Sequence, residues 1–187
     1  MMSHLIDLKV PLFFTIDDVM TGEECDEMIA IIERLGPEIA SVSLAGGPAV
    51  RPEIRNNTRV IFDNQGFAET LFERVRARLP AKVSGMRAVG ANERFRCYKY
   101  EVGQRFTPHY DGAFFRDALE RSLLTFMVYL NEGFEGGATN MLDLHEAVTP
   151  KRGRALLFQH AILHEGATVT AGVKYVLRSD IMYRRAA

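Results

Sequence analysis

The chain has 187 residues and a formal net charge of −1, with 23 Lys and Arg residues against 24 Asp and Glu residues. A chain of this length can bury its own core, so we expect a single domain over residues 1–187. The near-neutral charge argues against a basic surface for nucleic acid and against an acidic solvated tail. We therefore expect no nucleic-acid partner.

Two cysteines and one apolar run bear on the compartment. Cys25 and Cys97 form no CxxC pair, which argues against a disulfide framework and against a thiolate metal site. The run Val10–Phe14 is apolar but far too short to span a bilayer, and acidic residues flank it. We predict a cytoplasmic protein without a membrane partner.

Two amphipathic helices are predicted in the first half of the chain. Thr21 and Glu24 have the spacing of a capping box and begin a helix that Gly36 ends. An apolar stripe predicts a second helix over about Ala68–Leu79, which Pro80 ends. We expect both helices to pack outside a β core.

Glycine and proline residues predict a loop over Ser41–Glu53, and its part Leu44–Pro52 is a candidate lid. Further along, β-branched and aromatic runs bounded by Gly and Pro predict strands. The predicted strands are Thr58–Phe62, Arg94–Tyr100, Ser122–Leu130, Ala155–Phe158 and Val173–Tyr183. This spacing is typical of a sandwich or barrel. We predict an α+β fold, with helical support over about residues 1–87 and the β core over about residues 88–187.

A histidine and an aspartate two residues apart form the first half of a candidate metal site. On an extended segment, His109 and Asp111 point to the same side. With His164 supplied by another strand, two imidazoles and one carboxylate would form the facial triad of non-haem Fe(II). Each of these residues alone also fits an ordinary surface or hydrogen-bonded position. His160 is an alternative histidine or a supporting group.

The last predicted strand carries an unusual lysine. Strict alternation places Lys174, Val176 and Arg178 on one face, and Val176 indicates that this face points inward. An inward lysine needs an anionic partner. Two interpretations are possible at this point. Lys174 forms a buried salt bridge to Glu165 or Asp180, or it binds a carboxylate of a ligand.

Three polar residues are candidate substrate contacts. Asn57 and Arg59 enter a predicted strand that could line the entrance of a site. Arg94 shares one side of the next strand with Arg96 and could meet a substrate carboxylate or an acidic residue of the sheet itself. Arg55 fits a solvated edge position better than a substrate contact.

Four segments, taken in order, resemble the prolyl-4-hydroxylase-like 2-oxoglutarate/Fe(II) dioxygenases. Tyr100–Asp111 resembles the tyrosine–glycine–HxD segment of that family, and Gly136–Thr139 is similar to its GGxT turn. Val148–Phe158 resembles its strand with the pattern xPxxGxxxxF, and His164–Lys174 is similar to its closing HxxxxVxxGxK segment. The resemblance covers about residues 93–183, half of the chain.

This resemblance implies a double-stranded β-helix, or jelly roll, whose two sheets open around iron. It implies that His109, Asp111 and His164 bind Fe(II). The implied reaction consumes O2 and 2-oxoglutarate, releases succinate and CO2, and hydroxylates an unactivated C–H bond of an amino acid, a peptide or a small metabolite. Ascorbate is a further candidate cofactor. No catalytic residue is implied beyond the metal centre.

The contacts with 2-oxoglutarate follow from the same resemblance. Lys174 lies ten residues after His164, as in the family pattern, and would pair with the distal carboxylate of 2-oxoglutarate. Tyr100 would hydrogen-bond the same molecule. Arg178 is the alternative, because related enzymes use arginine here and a hairpin centred near Ala171 would place Arg178 across from His164.

Two other functions remain open at this point. The first is a non-catalytic jelly-roll module that binds a metal or 2-oxoglutarate, and the second is a cupin-like metalloenzyme that needs no cosubstrate. A purely structural metal site needs no open coordination positions, which argues against the first. Lys174 separates the second from a dioxygenase, because only the dioxygenase needs a cation for its cosubstrate.

Overall fold

The polypeptide forms mostly β-sheet with two α-helices, in agreement with the predicted α+β class. The computed structural model describes residues 11–44 and 46–186, so the start of the apolar run at Val10 lies outside the described residues. Neither described helix has the length and apolar composition needed to cross a membrane.

The described strands form one large sheet, one smaller sheet and two two-stranded pairs, β3 with β4 and β11 with β16. In chain order the strands are β1 (Phe13–Ile16), β2 (Glu38–Ile39), β3 (Val42–Leu44), β4 (Gly47–Ala49), β5 (Thr58–Asp63), β6 (Lys82–Val83), β7 (Met86–Ala91), β8 (Arg94–Tyr100), β9 (Phe106–His109), β10 (Glu120–Tyr129), β11 (Glu135–Gly136), β12 (Thr139–Met141), β13 (Glu146–Val148), β14 (Ala155–Gln159), β15 (His164–Gly166), β16 (Val169–Ala171) and β17 (Lys174–Arg184). The large sheet has the order β1-β14-β10-β17-β8-β5-β2, with β7 paired to β17 and β6 to β7. The smaller sheet has the order β13-β12-β15-β9.

Helix α1 (Gly22–Leu35) begins and ends where the sequence predicts. The Thr21 side chain accepts a hydrogen bond from the Glu24 amide, and the Glu24 carboxylate accepts one from the Thr21 amide. Gly36 then adopts the left-handed conformation, with a φ of 70°, that ends many helices.

Helix α2 (Gln65–Arg76) starts three residues before the predicted boundary and also ends earlier. Its N-cap is Asn64, whose side chain accepts a hydrogen bond from the Phe67 amide. An N-cap asparagine is a standard start signal, and it lies just outside the apolar stripe used to place the helix.

The two helices pack on one face of the large sheet. One buried apolar cluster joins Ile32 of α1 and Leu71 of α2 to Phe126 of β10 and Leu177 of β17. Both cysteines are free and belong to this cluster, and burial raises the pKa of the Cys97 thiol to about 12. The helices therefore cover the face of the sheet that lies away from the candidate site.

A second apolar cluster lies on the other face of the large sheet and includes strands of both sheets. Val176 of β17 and Tyr129 of β10 belong to it, together with Met141 of β12 and Val148 of β13. Alternation along β17 therefore places Val176 between the sheets and Leu177 against the helices. The predicted inward face of the last strand is confirmed.

Two predicted boundaries need correction. The stretch Ser41–Glu53 is not all loop, because β3 and β4 pair as a hairpin within it. The predicted division between helical support and β core also does not follow the sheet, because β1, β2, β5 and β6 of the first 87 residues belong to the large sheet. Strands β2, β3, β4 and β6 have two or three residues each and are held by pairing with a neighbour, which a local sequence pattern does not reveal.

Candidate metal centre

The structure brings His109, Asp111 and His164 together between the sheets. Strands β9 and β15 pair so that His109 lies directly opposite His164, and Asp111 follows two residues after the end of β9. One potential ligand atom from each residue lies within 4.8 Å of the other two. The nearest measured pairs are His164 Nε2 to Asp111 Oδ2 at 3.6 Å and His109 Nε2 to Asp111 Oδ1 at 3.9 Å.

Backbone carbonyl groups fix both imidazoles in the orientation that a metal site needs. His109 Nδ1 lies 2.8 Å from the Thr107 carbonyl oxygen, and His164 Nδ1 lies 2.9 Å from the Ile162 carbonyl oxygen. A carbonyl only accepts, so each Nδ1 donates, which leaves the Nε2 atom, on the side of Asp111, as the ring nitrogen available to a metal. Burial and the neighbouring His164 lower the pKa of His109 to about 4, which keeps its imidazole neutral.

Asp111 stays ionised although it is buried. Burial alone would raise the pKa of its carboxyl group, but the charge of Arg178 and the hydrogen bond from Thr125 help to hold it well below its usual range. Arg178 Nη2 lies 3.3 Å from Asp111 Oδ1, and the Thr125 hydroxyl donates to Asp111 Oδ2 at 2.5 Å. Two imidazole nitrogens and an ionised carboxylate are the donor set of the Fe(II) facial triad, so the residues present fit that ion.

A directed chain of hydrogen bonds runs from His160 to Asp111. Thr125 has one hydroxyl proton, which it gives to Asp111, so it must accept from His160 Nδ1 at 2.9 Å. His160 Nε2 then accepts from the Ser122 hydroxyl at 2.8 Å, and Ser122 accepts from the Phe114 amide. Both ring nitrogens of His160 are occupied, so the geometry makes His160 a supporting group rather than an alternative ligand.

Replacing Thr125 with Val should weaken Fe(II) binding by about 10- to 100-fold, which is the usual effect of losing a group that orients a metal ligand. Valine has nearly the same shape but cannot donate to Asp111, and it leaves the His160 Nδ1 proton without its acceptor. Anaerobic Fe(II) titration against a competing chelator measures the change. Thr125→Ser keeps the hydroxyl and should bind Fe(II) as the unsubstituted protein does. Wild-type affinity in Thr125→Val would contradict the orienting role.

Lys174 and Tyr100 lie deeper between the sheets, in a narrow inner cavity that also contains the three candidate ligands. The two residues face each other across the β17–β8 pairing, and Lys174 Nζ is 5.2 Å from the Tyr100 ring centroid. The amine is 2% exposed and donates to the Gly137 carbonyl oxygen at 2.6 Å. Burial lowers its pKa to about 7.

No carboxylate of the described residues lies within ion-pair distance of Lys174. Glu165, one expected partner, accepts a hydrogen bond from Asn140 instead. Asp180, the other, lies 3.1 Å from Arg178. Lys174 therefore forms a salt bridge with neither residue, and the charged form of its amine is costly in this buried position.

Arg178 does not lie across from His164, as the alternative register would require. It pairs with Arg96 on β8 and with Met127 on β10. Burial lowers the pKa of its guanidinium, but Asp111 and Asp180 raise it above the usual value. Arg178 therefore already forms ion pairs with two carboxylates of the chain, those of Asp111 and Asp180.

An outer cavity of about 520 Å³ adjoins the triad. Arg59 lines this cavity as predicted, whereas Asn57 is buried behind it and accepts from Arg55 Nε at 2.8 Å. Arg94 lines neither cavity, so it is not placed as a substrate contact; of the two expected partners it takes the acid of the sheet, pairing with Asp63 of β5 at 2.9 Å on the surface. Arg94 begins β8, and at that end the strand has left the cavity.

Arg55, expected to be solvated, is only 3% exposed and lines the outer cavity. Its guanidinium carbon lies 4.0 Å from the Phe106 ring centroid and 4.6 Å from that of Tyr98. Phe106 in turn stacks on His109 with the ring centroids 3.5 Å apart. Aromatic rings thus bury a charged residue that no local sequence pattern marks as inward.

Thr125 was missed as well, although a usable signal was present. It lies on the same face of β10 as Met127 and Tyr129, the face that points between the sheets. An inward threonine needs a hydrogen-bond partner, and in this fold the partners are Asp111 and His160.

Residues 95–179 match the model of the 2OG-Fe(II) oxygenase superfamily. The chain is 25% identical over 198 residues to the probable prolyl 4-hydroxylase 8 of Arabidopsis thaliana, an alignment that covers 88% of this chain and 66% of that protein. The chain thus spans slightly less than two thirds of the length of this relative.

Solved structures share the fold. The 2OG complex of the viral collagen prolyl hydroxylase from Paramecium Bursaria Chlorella virus-1 matches with a TM-score of 0.68 and 24% identity, covering 94% of this chain and 98% of that chain. A prolyl hydroxylase from Trichoplax adhaerens, solved with a peptide fragment of the hypoxia inducible factor oxygen degradation domain, matches with a TM-score of 0.67 and 18% identity, covering 93% and 84%.

Proposed function

We propose that this chain is an Fe(II)- and 2-oxoglutarate-dependent hydroxylase, and we start from its confirmed resemblance to the prolyl-4-hydroxylase-like 2-oxoglutarate/Fe(II) oxygenases. The observation that carries the proposal is the common position of two features in one inner cavity. These are the cluster of His109, Asp111 and His164 and the buried amine of Lys174.

In this proposal the three clustered residues hold Fe(II) and leave open positions for small molecules. His109 and His164 present their Nε2 atoms, and Asp111 presents a carboxylate that Thr125 and Arg178 keep ionised and oriented. The bound Fe(II), with O2 and 2-oxoglutarate, would supply the oxidising power for C–H hydroxylation and release succinate and CO2.

Lys174 and Tyr100 are the proposed contacts of 2-oxoglutarate. A 2-oxoglutarate carboxylate would give the buried amine of Lys174 the anionic partner that the described residues do not supply. Tyr100, directly across the strand pairing, has a hydroxyl that can donate to the same molecule. Arg178 is less suited to this role because Asp111 and Asp180 already pair with it.

The jelly-roll core and the substrate class are parts of the same proposal. Two antiparallel sheets that share one inner apolar cluster support a jelly roll. The proposed substrate is an amino acid, a peptide or a small metabolite, and the peptide bound to the Trichoplax adhaerens neighbour is consistent with a peptide. We propose no catalytic residue beyond the metal centre, and a role for ascorbate stays a prediction.

Turnover of 2-oxoglutarate tests the proposed function. The protein is incubated with Fe(II), O2, 2-oxoglutarate and a panel of amino acids, peptides and small metabolites. We expect at least one compound to stimulate succinate formation and to gain one oxygen atom by mass spectrometry. Absence of succinate with every compound would favour the non-catalytic module. Product formation without added 2-oxoglutarate would favour the cupin-like metalloenzyme.

The affinity for 2-oxoglutarate should fall as the pH rises above about 7. The pKa of Lys174 in the ligand-free protein is about 7, and an anionic partner would raise it. Binding above that pH therefore requires proton uptake, which costs up to about tenfold in affinity per pH unit. Anaerobic calorimetry between pH 7 and 9, in buffers of different ionisation enthalpy, measures affinity and proton uptake together. An affinity that is constant over this range would contradict the assignment of Lys174.

A further inference from the structure

The outer cavity is lined by an excess of positive charge. Its arginine residues are Arg55, Arg59, Arg96 and Arg178. Among the described residues, two carboxylates line it with them, those of Asp111 and Asp180. Four positive groups against two negative groups leave the lining with a formal charge of +2.

Both aspartates are already engaged. Arg178 Nη2 lies 3.3 Å from Asp111 Oδ1 and 3.1 Å from Asp180 Oδ1. Arg96 Nη1 lies 3.7 Å from Asp180 Oδ2. Because Asp111 is also a candidate metal ligand, neither carboxylate can neutralise a further arginine. The excess positive charge therefore belongs to Arg55 and Arg59.

Arg55 is a buried cation with an unused donor. Asn57 accepts from its Nε at 2.8 Å, and the Phe106 and Tyr98 rings lie against its guanidinium. Its Nη2 is buried and has no hydrogen-bond partner among the described residues. A buried charge without an anionic partner is costly, so this position favours an anion supplied from outside the chain.

Arg59 adds a second cation without a carboxylate. In the described part of the chain, the Arg59 side chain donates a hydrogen bond from Nη2 to the Ser41 hydroxyl at 3.0 Å. Burial lowers the pKa of Arg59; the Tyr98 phenol opposes this shift, and the neighbouring Arg55 and Arg96 add to it. Burial would raise the pKa of the Tyr98 phenol, but three of the cavity arginines bring it below its usual value. The cavity therefore has a positive potential.

We propose that Arg55 and Arg59 bind a carboxylate of the substrate. The planar fork of a guanidinium matches a carboxylate, and the cavity volume of about 520 Å³ is typical of small-molecule sites. His109 and Asp111 line the same cavity, so a substrate anchored there shares its space with the metal centre. This inference rests on the proposed function and narrows its substrate to an acid, bound through an α-carboxylate or through an acidic side chain of a peptide.

The test uses the intact protein, loaded anaerobically with Fe(II) and 2-oxoglutarate. The weak visible metal-to-ligand charge-transfer band reports that both have bound, and its perturbation on titration reports substrate binding. One probe set compares free L-amino acids with the corresponding L-amino acid amides. The other compares N-acetylated, C-amidated tripeptides with Glu or Gln at the centre. In one of the two sets, we expect the acid to bind at least about tenfold more tightly than its amide. A preference among the free amino acids would identify an α-carboxylate, and a preference among the tripeptides would identify an acidic side chain.

Two arginine substitutions sharpen the test. Arg59→Gln should remove the preference for the acid while leaving the charge-transfer band and its dependence on 2-oxoglutarate unchanged. Arg59→Lys keeps the positive charge but lacks the planar guanidinium that can hold both carboxylate oxygens. It should therefore retain part of the preference for the acid over the amide. Arg76→Gln is the matched control, because Arg76 pairs with Glu73 on the exposed surface of α2. This control should keep the full preference.

The two proposals fail in distinguishable ways. If the band does not form in the unsubstituted protein, the proposed function is wrong. If the band forms but acids bind no better than their amides, or bind not at all, the carboxylate site is wrong. A preference for acids that persists in Arg59→Gln would also overturn it.

Discussion

Replacing Lys174 with Met should raise the concentration of 2-oxoglutarate needed for half-maximal turnover by about 100-fold or more. Removing one partner of a buried ion pair costs about 3–5 kcal/mol, and each 1.4 kcal/mol is a factor of about ten in affinity. Methionine preserves most of the side-chain volume, so the change isolates the charge. Steady-state kinetics over a wide range of 2-oxoglutarate concentration measures the effect.

The same substitution should not destabilise the ligand-free protein. Burial lowers the pKa of Lys174 to about 7, which means that folding disfavours its charged form. Methionine removes this cost, although the Gly137 carbonyl oxygen loses its donor. We expect a thermal midpoint equal to or above that of the unsubstituted protein. Lys99→Met is the control, since Lys99 pairs with Glu33 and lines neither cavity. An unchanged 2-oxoglutarate requirement in Lys174→Met would favour the cupin-like alternative.

Replacing Asp111 with Ala should reduce turnover by more than the roughly 100-fold that loss of a supporting group costs at a metal site. Asp111 is the one carboxylate in the cluster with His109 and His164, and without it the donor set of the facial triad is incomplete. The measurement is succinate formation at saturating Fe(II) and 2-oxoglutarate. Turnover within tenfold of the unsubstituted protein would contradict the assignment.

Stability measurements separate a catalytic metal from a structural one. Asp111→Ala leaves Arg178 with Asp180 as its remaining carboxylate partner, and Asp111→Asn, which keeps the side-chain shape, limits that disturbance. In the catalytic account, the metal-free protein and Asp111→Asn both remain folded while turnover is lost. A large drop in the thermal midpoint of the unsubstituted protein on metal removal would favour a structural site.

Local patterns were enough to predict the elements that hold the candidate site. The capping box of α1 and the bounds of β8 agree with the structure, and the alternation of β17 correctly placed Lys174 and Val176 between the sheets. The i, i+2 spacing of His109 and Asp111 brings both side chains to the same side, because both residues lie on or next to an extended segment. These features depend on neighbours in sequence, so the sequence alone could reveal them.

Features that depend on distant contacts were not predictable in the same way. The burial of Arg55 depends on rings of Tyr98 and Phe106, more than 40 residues away, and no periodic pattern surrounds it. The role of Thr125 depends on its meeting Asp111 across the fold. Arg94 and Arg96 lie on the same face of β8. Arg94, however, lies at the first residue of the strand, away from the cavity, where it pairs with Asp63.

Anaerobic Fe(II) titration of the unsubstituted protein and of His109→Ala, Asp111→Ala and His164→Ala tests the central claim most directly. The account predicts one Fe(II) ion per chain in the unsubstituted protein and loss of tight binding in each of the three variants. His145→Ala, which removes an exposed histidine outside both cavities, should bind as the unsubstituted protein does. Wild-type affinity in any one of the three variants would show that these side chains do not share one ion.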